Sequence, residues 1–93
     1  MTFYYVYVLF SEKDLKLYIG FSSDVFKRFK QHENGENIST AHRRPLRLIY
    51  YEAHLHKDDA LRRETYFKST PGKRTLQIVL KDVLKEFGYV ASR

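Results

Sequence analysis

Residues 5–20, YVYVLFSEKDLKLYIG, decide the fold. Tyr5-Val6-Tyr7-Val8-Leu9 and Leu17-Tyr18-Ile19-Gly20 are short runs of β-branched and aromatic residues, with the polar Ser11-Glu12-Lys13-Asp14 between them. That pattern predicts a hairpin. Because side chains alternate across a strand, Tyr5 and Tyr7 share one face of the first strand and Val6 and Val8 the other. Tyr18 on the paired strand then comes near Tyr7. Tyrosines in a hairpin are commonly packing residues with a wet hydroxyl, so this pair acquires chemical meaning only from what surrounds it.

Outward from the hairpin, Ser22-Ser23-Asp24 is a helix-start signature leading into Val25-Phe26-Lys27-Arg28-Phe29-Lys30-Gln31-His32. Val25, Phe29 and His32 line one helical arc, with Arg28 at its edge four residues before His32. The commoner fate of such cations is a basic helix surface, with their stems covering apolar neighbours. Glu33-Asn34-Gly35-Glu36-Asn37 ends this helix and opens a polar loop to about Arg44. After Pro45, the apolar run Leu46 to Ala53 has the length of a strand. Asp58 to Lys68 reads as a helix with Asp58 and Asp59 at the positive end of its dipole. Pro71-Gly72 should break it. From Lys73, the apolar positions Leu76, Val79, Leu80, Val83, Leu84 and Phe87 recur at threes and fours, predicting a final amphipathic helix to Gly88. The order is β-β-α-β-α-α, an α+β class with one small mixed or antiparallel sheet flanked by helices.

Glu64 breaks the helical pattern. At ~100° per residue, Ala60, Leu61 and Phe67 share an arc with Glu64 near its middle. An unpaired buried carboxylate is costly, so the position implies a cation, a neighbouring arginine or a bound metal, unless it is a stripe edge that solvent reaches.

Ninety-three residues make a single domain, 1–93, with a core over about 3–87 and Ala91-Ser92-Arg93 as a loose tail. Hydrophobic residues are 43% and aromatics 16%, so aromatic side chains must supply much of the buried area. The absence of cysteine removes disulfides, thiolate catalysis and cysteine zinc sites together, and suits a reducing cytoplasm. No apolar run approaches the ~20 residues of a membrane span, and Met1-Thr2-Phe3-Tyr4 reads as the start of a strand instead of a signal peptide. A cytoplasmic protein, monomeric by default, is expected. The net charge of +6 points to a polyanion. Lys27, Lys30, Arg43, Arg44, Arg63 and Lys68 are the candidate phosphate contacts.

With these elements in order, the chain resembles the GIY-YIG nuclease domain over roughly residues 3 to 80. The resemblance is to small stand-alone members related to the excinuclease N-terminal domain. The first motif stands as Tyr5-Val6-Tyr7, with Tyr replacing Gly, and the second as Tyr18-Ile19-Gly20; Arg28 and His32 match the helix motif, and Glu64 within Ala60-Leu61-Arg62-Arg63-Glu64 matches the acidic one. Two positions depart from the pattern: Phe21 stands where excinuclease relatives carry Lys, and no Asn occurs beyond Asn37. The resemblance implies an antiparallel three-stranded sheet carrying Tyr7, Tyr18, Arg28, His32 and Glu64 as catalytic residues, with nucleic acid, DNA ahead of RNA, as partner.

That set suits phosphodiester hydrolysis, which needs a base for water, neutralisation of phosphoryl charge and help for the leaving alkoxide. Glu64 would hold one Mg²⁺ (or Mn²⁺), since Mg²⁺ takes few protein carboxylates and keeps several waters. Arg28 would fork onto phosphate oxygens. On intrinsic pKa His32 is the better base; the resemblance favours Tyr7, assisted by His32, with Tyr18 orienting water or phosphate and exchange of the tyrosine roles left open. The alternative is a nucleic-acid-binding module that keeps the scaffold without hydrolysis, and the two part on their need for metal at Glu64.

Overall fold

The computed structural model describes residues 2–91. β1 (Tyr4–Ser11) and β2 (Leu17–Ser22) form the expected antiparallel hairpin, with Tyr7 opposite Gly20 and Leu9 opposite Tyr18. Ser11 organises the turn: its Oγ accepts from the backbone N–H of Lys13 and of Asp14, each at 3.2 Å. α1 (Val25–Glu33) starts at Asp24, whose carboxylate accepts from the Lys27 N–H. β3 (Leu46–His54) then pairs antiparallel with the other side of β1, giving the sheet order β2-β1-β3.

β3 does not alternate cleanly, and its register explains why. Val8 pairs with Tyr50 but Leu9 pairs with Leu48, so Ile49 is an extra residue bulged out of the ladder. Leu46 and Leu48 therefore face α1, while Ile49 and Tyr50 pack on the opposite face. The α1 face holds Tyr7, Leu9, Val25 and Leu46; the other holds Val6, Val8, Ile19, Ala60, Phe67, Leu76, Leu80 and Leu84. The period-2 split of Tyr5 and Tyr7 from Val6 and Val8 thus places two different cores on two sides of one sheet.

The second core is covered by α3 (Lys57–Lys68), α4 (Thr70–Val79) and α5 (Lys81–Phe87). Strand and helix order follow the expectation, with two refinements. The polar loop after α1 contains a short helix, α2 (Ile38–Ala41), capped by the Asn37 side chain accepting from the Ser39 N–H. The final helix is two, interrupted at Leu80, whose φ of −106° and ψ of 22° leave the helical region. Pro71-Gly72 does not lie between helices but in the first turn of α4, where proline needs no N–H partner. Gly72 is needed there, because a Cβ would stand 1.7 Å from the carbonyl oxygen of Tyr66 on α3. Among the described residues no helix is long and apolar enough to cross a membrane. Met1, Ser92 and Arg93 lie outside the described residues, so the expected loose tail is represented only by Ala91.

Candidate active site

Gly20 gives the site its shape. The Tyr7 ring lies across the Gly20 backbone so closely that a Cβ at position 20 would stand 2.2 Å from Tyr7 Cζ and 2.3 Å from its hydroxyl. A residue without a side chain on β2 therefore lets the phenol of β1 reach past the neighbouring strand. Tyr7 is buried, and its hydroxyl lies 2.8 Å from His32 Nε2. Tyr18 stands over the same imidazole, edge to face at 5.2 Å, and 6.4 Å from the Tyr7 ring.

His32 arrives from the last turn of α1 on the arc that also buries Val25. Its second ring nitrogen, Nδ1, lies 2.6 Å from Thr40 Oγ1 on α2, and both residues are fully buried. Burial, and then the charge of Arg28, push the imidazole below its usual range, so it is neutral near pH 7. A neutral ring makes both bonds in either tautomer. With the proton on Nδ1 it donates to Thr40 and accepts from Tyr7; with the proton on Nε2 the directions reverse.

The phenol is pushed up to about 12, chiefly by burial and then by Tyr18; charge and hydrogen bonding from Arg28 oppose this, and the Glu64 charge adds to it. A phenolate favoured by Arg28 is therefore not the resting state: burial outweighs the guanidinium, and Tyr7 is protonated at neutral pH. Arg28 also directs an N–H toward the Phe21 carbonyl at 3.4 Å, which holds its head beside β2. Glu64 approaches from α3. Its side chain keeps 19% of its exposure, and the cation it meets is the Lys68 ammonium at 3.1 Å, four residues on, instead of a neighbouring arginine. Four residues, from one strand and two helices, thus surround the Tyr7 phenol of β1.

A family model described as the GIY-YIG catalytic domain matches residues 3–77. The chain belongs to the GIY-YIG family. It is 37% identical over 86 residues to the UPF0213 protein CPE1444 of Clostridium perfringens, covering 91% of each chain. It is 40% identical over 80 residues to the UPF0213 protein YazA of Bacillus subtilis, covering 84% of this chain and 81% of the relative. The solution structure of the UPF0213 protein BH0048 from Bacillus halodurans superposes with a TM-score of 0.52 at 35% identity, over 83% of this chain and 84% of that one. In GIY-YIG terms the departure Tyr5-Val6-Tyr7 keeps the tyrosine that matters geometrically, because it is Tyr7 that lies over Gly20.

The six candidate phosphate contacts divide. Lys27 and Lys30 stand exposed on α1. Arg43 is engaged internally: Nε donates to Asp14 Oδ2 at 2.6 Å and a second nitrogen donates to the Leu17 carbonyl at 3.3 Å. Arg43 holds the Asp14 carboxyl down at about 2. Arg44 donates to the Ala41 carbonyl, Arg63 donates to Glu52 at 2.7 Å and stacks 4.3 Å over Phe67, and Lys68 is the partner of Glu64. A basic residue's presence in the sequence thus says little about whether its charge is free.

Thr40 is the residue that the sequence does not announce. It lies in a stretch that reads as polar loop, and only Asn37-x-Ser39, an N-cap with its acceptor in place, could have signalled an ordered turn there.

Proposed function

We propose that this GIY-YIG domain is a metal-dependent endonuclease that hydrolyses phosphodiester bonds in nucleic acid. DNA is the substrate we assign, on the resemblance of the motifs to excinuclease. The observation that carries the reading is a buried, protonated phenol hydrogen-bonded to a neutral imidazole, with the charges of Arg28 and Glu64 acting on the phenol. A phenol in this setting need not ionise first. As water attacks phosphorus, its proton passes to the Tyr7 oxygen while the Tyr7 proton passes to His32 Nε2. The P–O bond to the leaving alkoxide breaks, and that alkoxide takes a proton from solvent. This relay selects the His32 tautomer protonated on Nδ1, with Thr40 as its acceptor. Arg28 meets the charge that builds on the phosphoryl oxygens, and Tyr18 orients the water or the phosphate by hydrogen bonding.

Glu64 is the residue to hold a divalent ion. Among the described residues no group of three or more His, Cys, Asp or Glu side chains converges. A lone carboxylate therefore fits Mg²⁺ or Mn²⁺ shared with substrate phosphate and water, and does not fit a closed protein-liganded site. Such an ion, when bound, neutralises phosphate charge and eases departure of the alkoxide. Lys68 already shows that a cation is at home beside this carboxylate, and it is exposed enough to leave.

Incubation of the chain with labelled single-stranded, duplex and branched DNA and RNA, in Mg²⁺, Mn²⁺ or EDTA, tests this. Metal-dependent cutting that Glu64→Gln abolishes supports it. Binding without cutting in either metal reduces the chain to a binding module.

A further inference from the structure

The sheet order leaves β2 on an edge, and the site residues of β2, Tyr18 and Gly20, use only one of its faces. On the other face, a cleft of about 540 Å³ runs between β2 and α4, within the ~300–1,000 Å³ range of ligand sites. Its floor includes Leu17 and Ile19, and Ile19 sits between Tyr18 and Gly20 in sequence, pointing to the opposite side of the strand. The cleft therefore lies behind the strand whose other face carries Tyr18 and Gly20. Lys68, the partner of Glu64, lies two residues before Thr70, which lines the same cleft.

The cleft is basic, and its charges are unpaired: Lys16, Lys73 and Arg74 line it, no acidic side chain does, and none of the three makes an ion pair among the described residues. Lys73 stands in the first turn of α4, which contains no acidic residue, so the helix dipole adds to the positive field. Tyr89 supplies an aromatic wall. Gly88, with φ of 78°, ends α5 in the left-handed conformation and turns the chain back so that the Tyr89 N–H donates to the Leu84 carbonyl at 3.0 Å. An apolar floor, an aromatic wall and a cationic rim match the alternation of sugar, base and phosphate along a nucleic-acid strand.

We propose that this cleft is a second nucleic-acid subsite, in which Lys16, Lys73 and Arg74 hold backbone phosphates of the substrate at a distance from the scissile bond. That the bound strand is a substrate rests on the nuclease reading, but the binding itself is independent of cleavage. The chain reads position on the strand with one surface and acts with another.

Anisotropy of a fluorescent oligonucleotide, titrated with the chain in EDTA between 50 and 300 mM salt, tests the cleft without any cutting. Lys73→Ala with Arg74→Ala should lower the slope of log affinity against log salt by about 1.4 to 1.8, two charges' worth. Affinity at 150 mM should fall by about tenfold or more. A control pair on α5, Lys81→Ala with Lys85→Ala, should change the slope by less than half of that, and Arg74→Lys should keep it. In Mg²⁺, the double variant should raise KM for the oligonucleotide, while hydrolysis of a small diester, bis(p-nitrophenyl) phosphate, stays as in wild type. Equal slopes for the cleft and control pairs overturn the proposal, as does binding of polyglutamate with no binding of oligonucleotide, or no nucleic-acid binding at all. Cleft-dependent binding without hydrolysis leaves the subsite standing and sinks the nuclease.

Discussion

Glu52 and Tyr7 sit on opposite faces of the same sheet, and their neighbours treat them differently. Glu52 accepts from Arg63 at 2.7 Å, from the Tyr50 hydroxyl at 2.8 Å and lies 3.0 Å from His54 Nε2. Burial pushes its carboxyl up, and those hydrogen bonds with the Arg63 charge outweigh it, so it sits below the usual range and stays ionised. Every charge in that cluster is answered inside the protein. Around Tyr7 the hydrogen bonds join neutral groups, Tyr7 to His32 to Thr40, while the charges of Arg28 and Glu64 stay at the margin with Lys68 as an exposed, replaceable partner. A closed charged cluster fixes structure. A neutral chain of buried hydrogen bonds with charges at its margin whose partner is replaceable can pass a proton and receive a phosphate.

The largest effect expected from breaking this contrast is catalytic. Glu64→Gln or Arg28→Ala should lower single-turnover cleavage by about a hundredfold or more. The unfolding midpoint of Glu64→Gln should hardly move, since an i,i+4 pair with an exposed lysine contributes only ~0–1 kcal/mol. Glu52→Ala should do the reverse. It strips partners from Arg63 and Tyr50 and should cost about 1–3 kcal/mol in denaturant melts, with the cleavage rate of the folded protein unchanged. Lost turnover in Glu52→Ala at full folding would mean the two clusters are not separate.

Thr40→Val sharpens the neutral side of the comparison. Without its acceptor, Nδ1–H of His32 is buried and unpaired, a penalty of about 1–3 kcal/mol. The ring is then driven to the tautomer protonated on Nε2, which cannot take the Tyr7 proton. Nitrogen-15 shifts of His32 should report the change of tautomer, and cleavage should fall in step, while Thr40→Ser restores both. Unchanged shifts in Thr40→Val would end Thr40's role in the relay.

Titration gives a smaller effect with a definite sign. His32 is lowered in the folded state, so the unfolded chain binds its proton first and stability falls as pH drops below about 6.5. Tyr7 is raised to about 12, so its contribution is whole below about pH 10 and is lost as pH climbs from there toward 12. Melts of wild type against His32→Asn should differ in the acid window, and against Tyr7→Phe in the alkaline one. Parallel curves in both windows would contradict the burial of this pair.

The smallest effect separates two cations. Lys27→Ala should reduce the salt dependence of nucleic-acid binding by about one charge and leave the melt alone. Arg43→Ala should leave that slope alone, because its charge is answered by Asp14, and should lower the melting midpoint slightly. That loss should disappear as pH falls from the ordinary Asp range toward 2 and the carboxylate of Asp14 is protonated in both variants.

Local pattern was enough for the strands, the start of α1 and the α3 arc that groups Ala60 and Phe67 with Glu64. These depend on periods of 2 and 3.6 and on capping chemistry, which neighbours in sequence determine. The five site residues as a set, and the antiparallel strand directions, came from the family resemblance; the pairing of β1 with β2 and β3 confirms those directions. Only the tertiary structure decided the rest. The bulge at Ile49, the turn of α2 that delivers Thr40 and the break at Leu80 depend on what each segment packs against. The same holds for charge. Arg43, Arg63 and Lys73 look alike in sequence, yet the first two are neutralised by Asp14 and Glu52 from 29 and 11 residues away, while the third faces an open cleft. The Tyr7 phenol is raised instead of lowered for the same reason, since burial is a property of the assembled core and outweighs the one cation that the sequence places nearby.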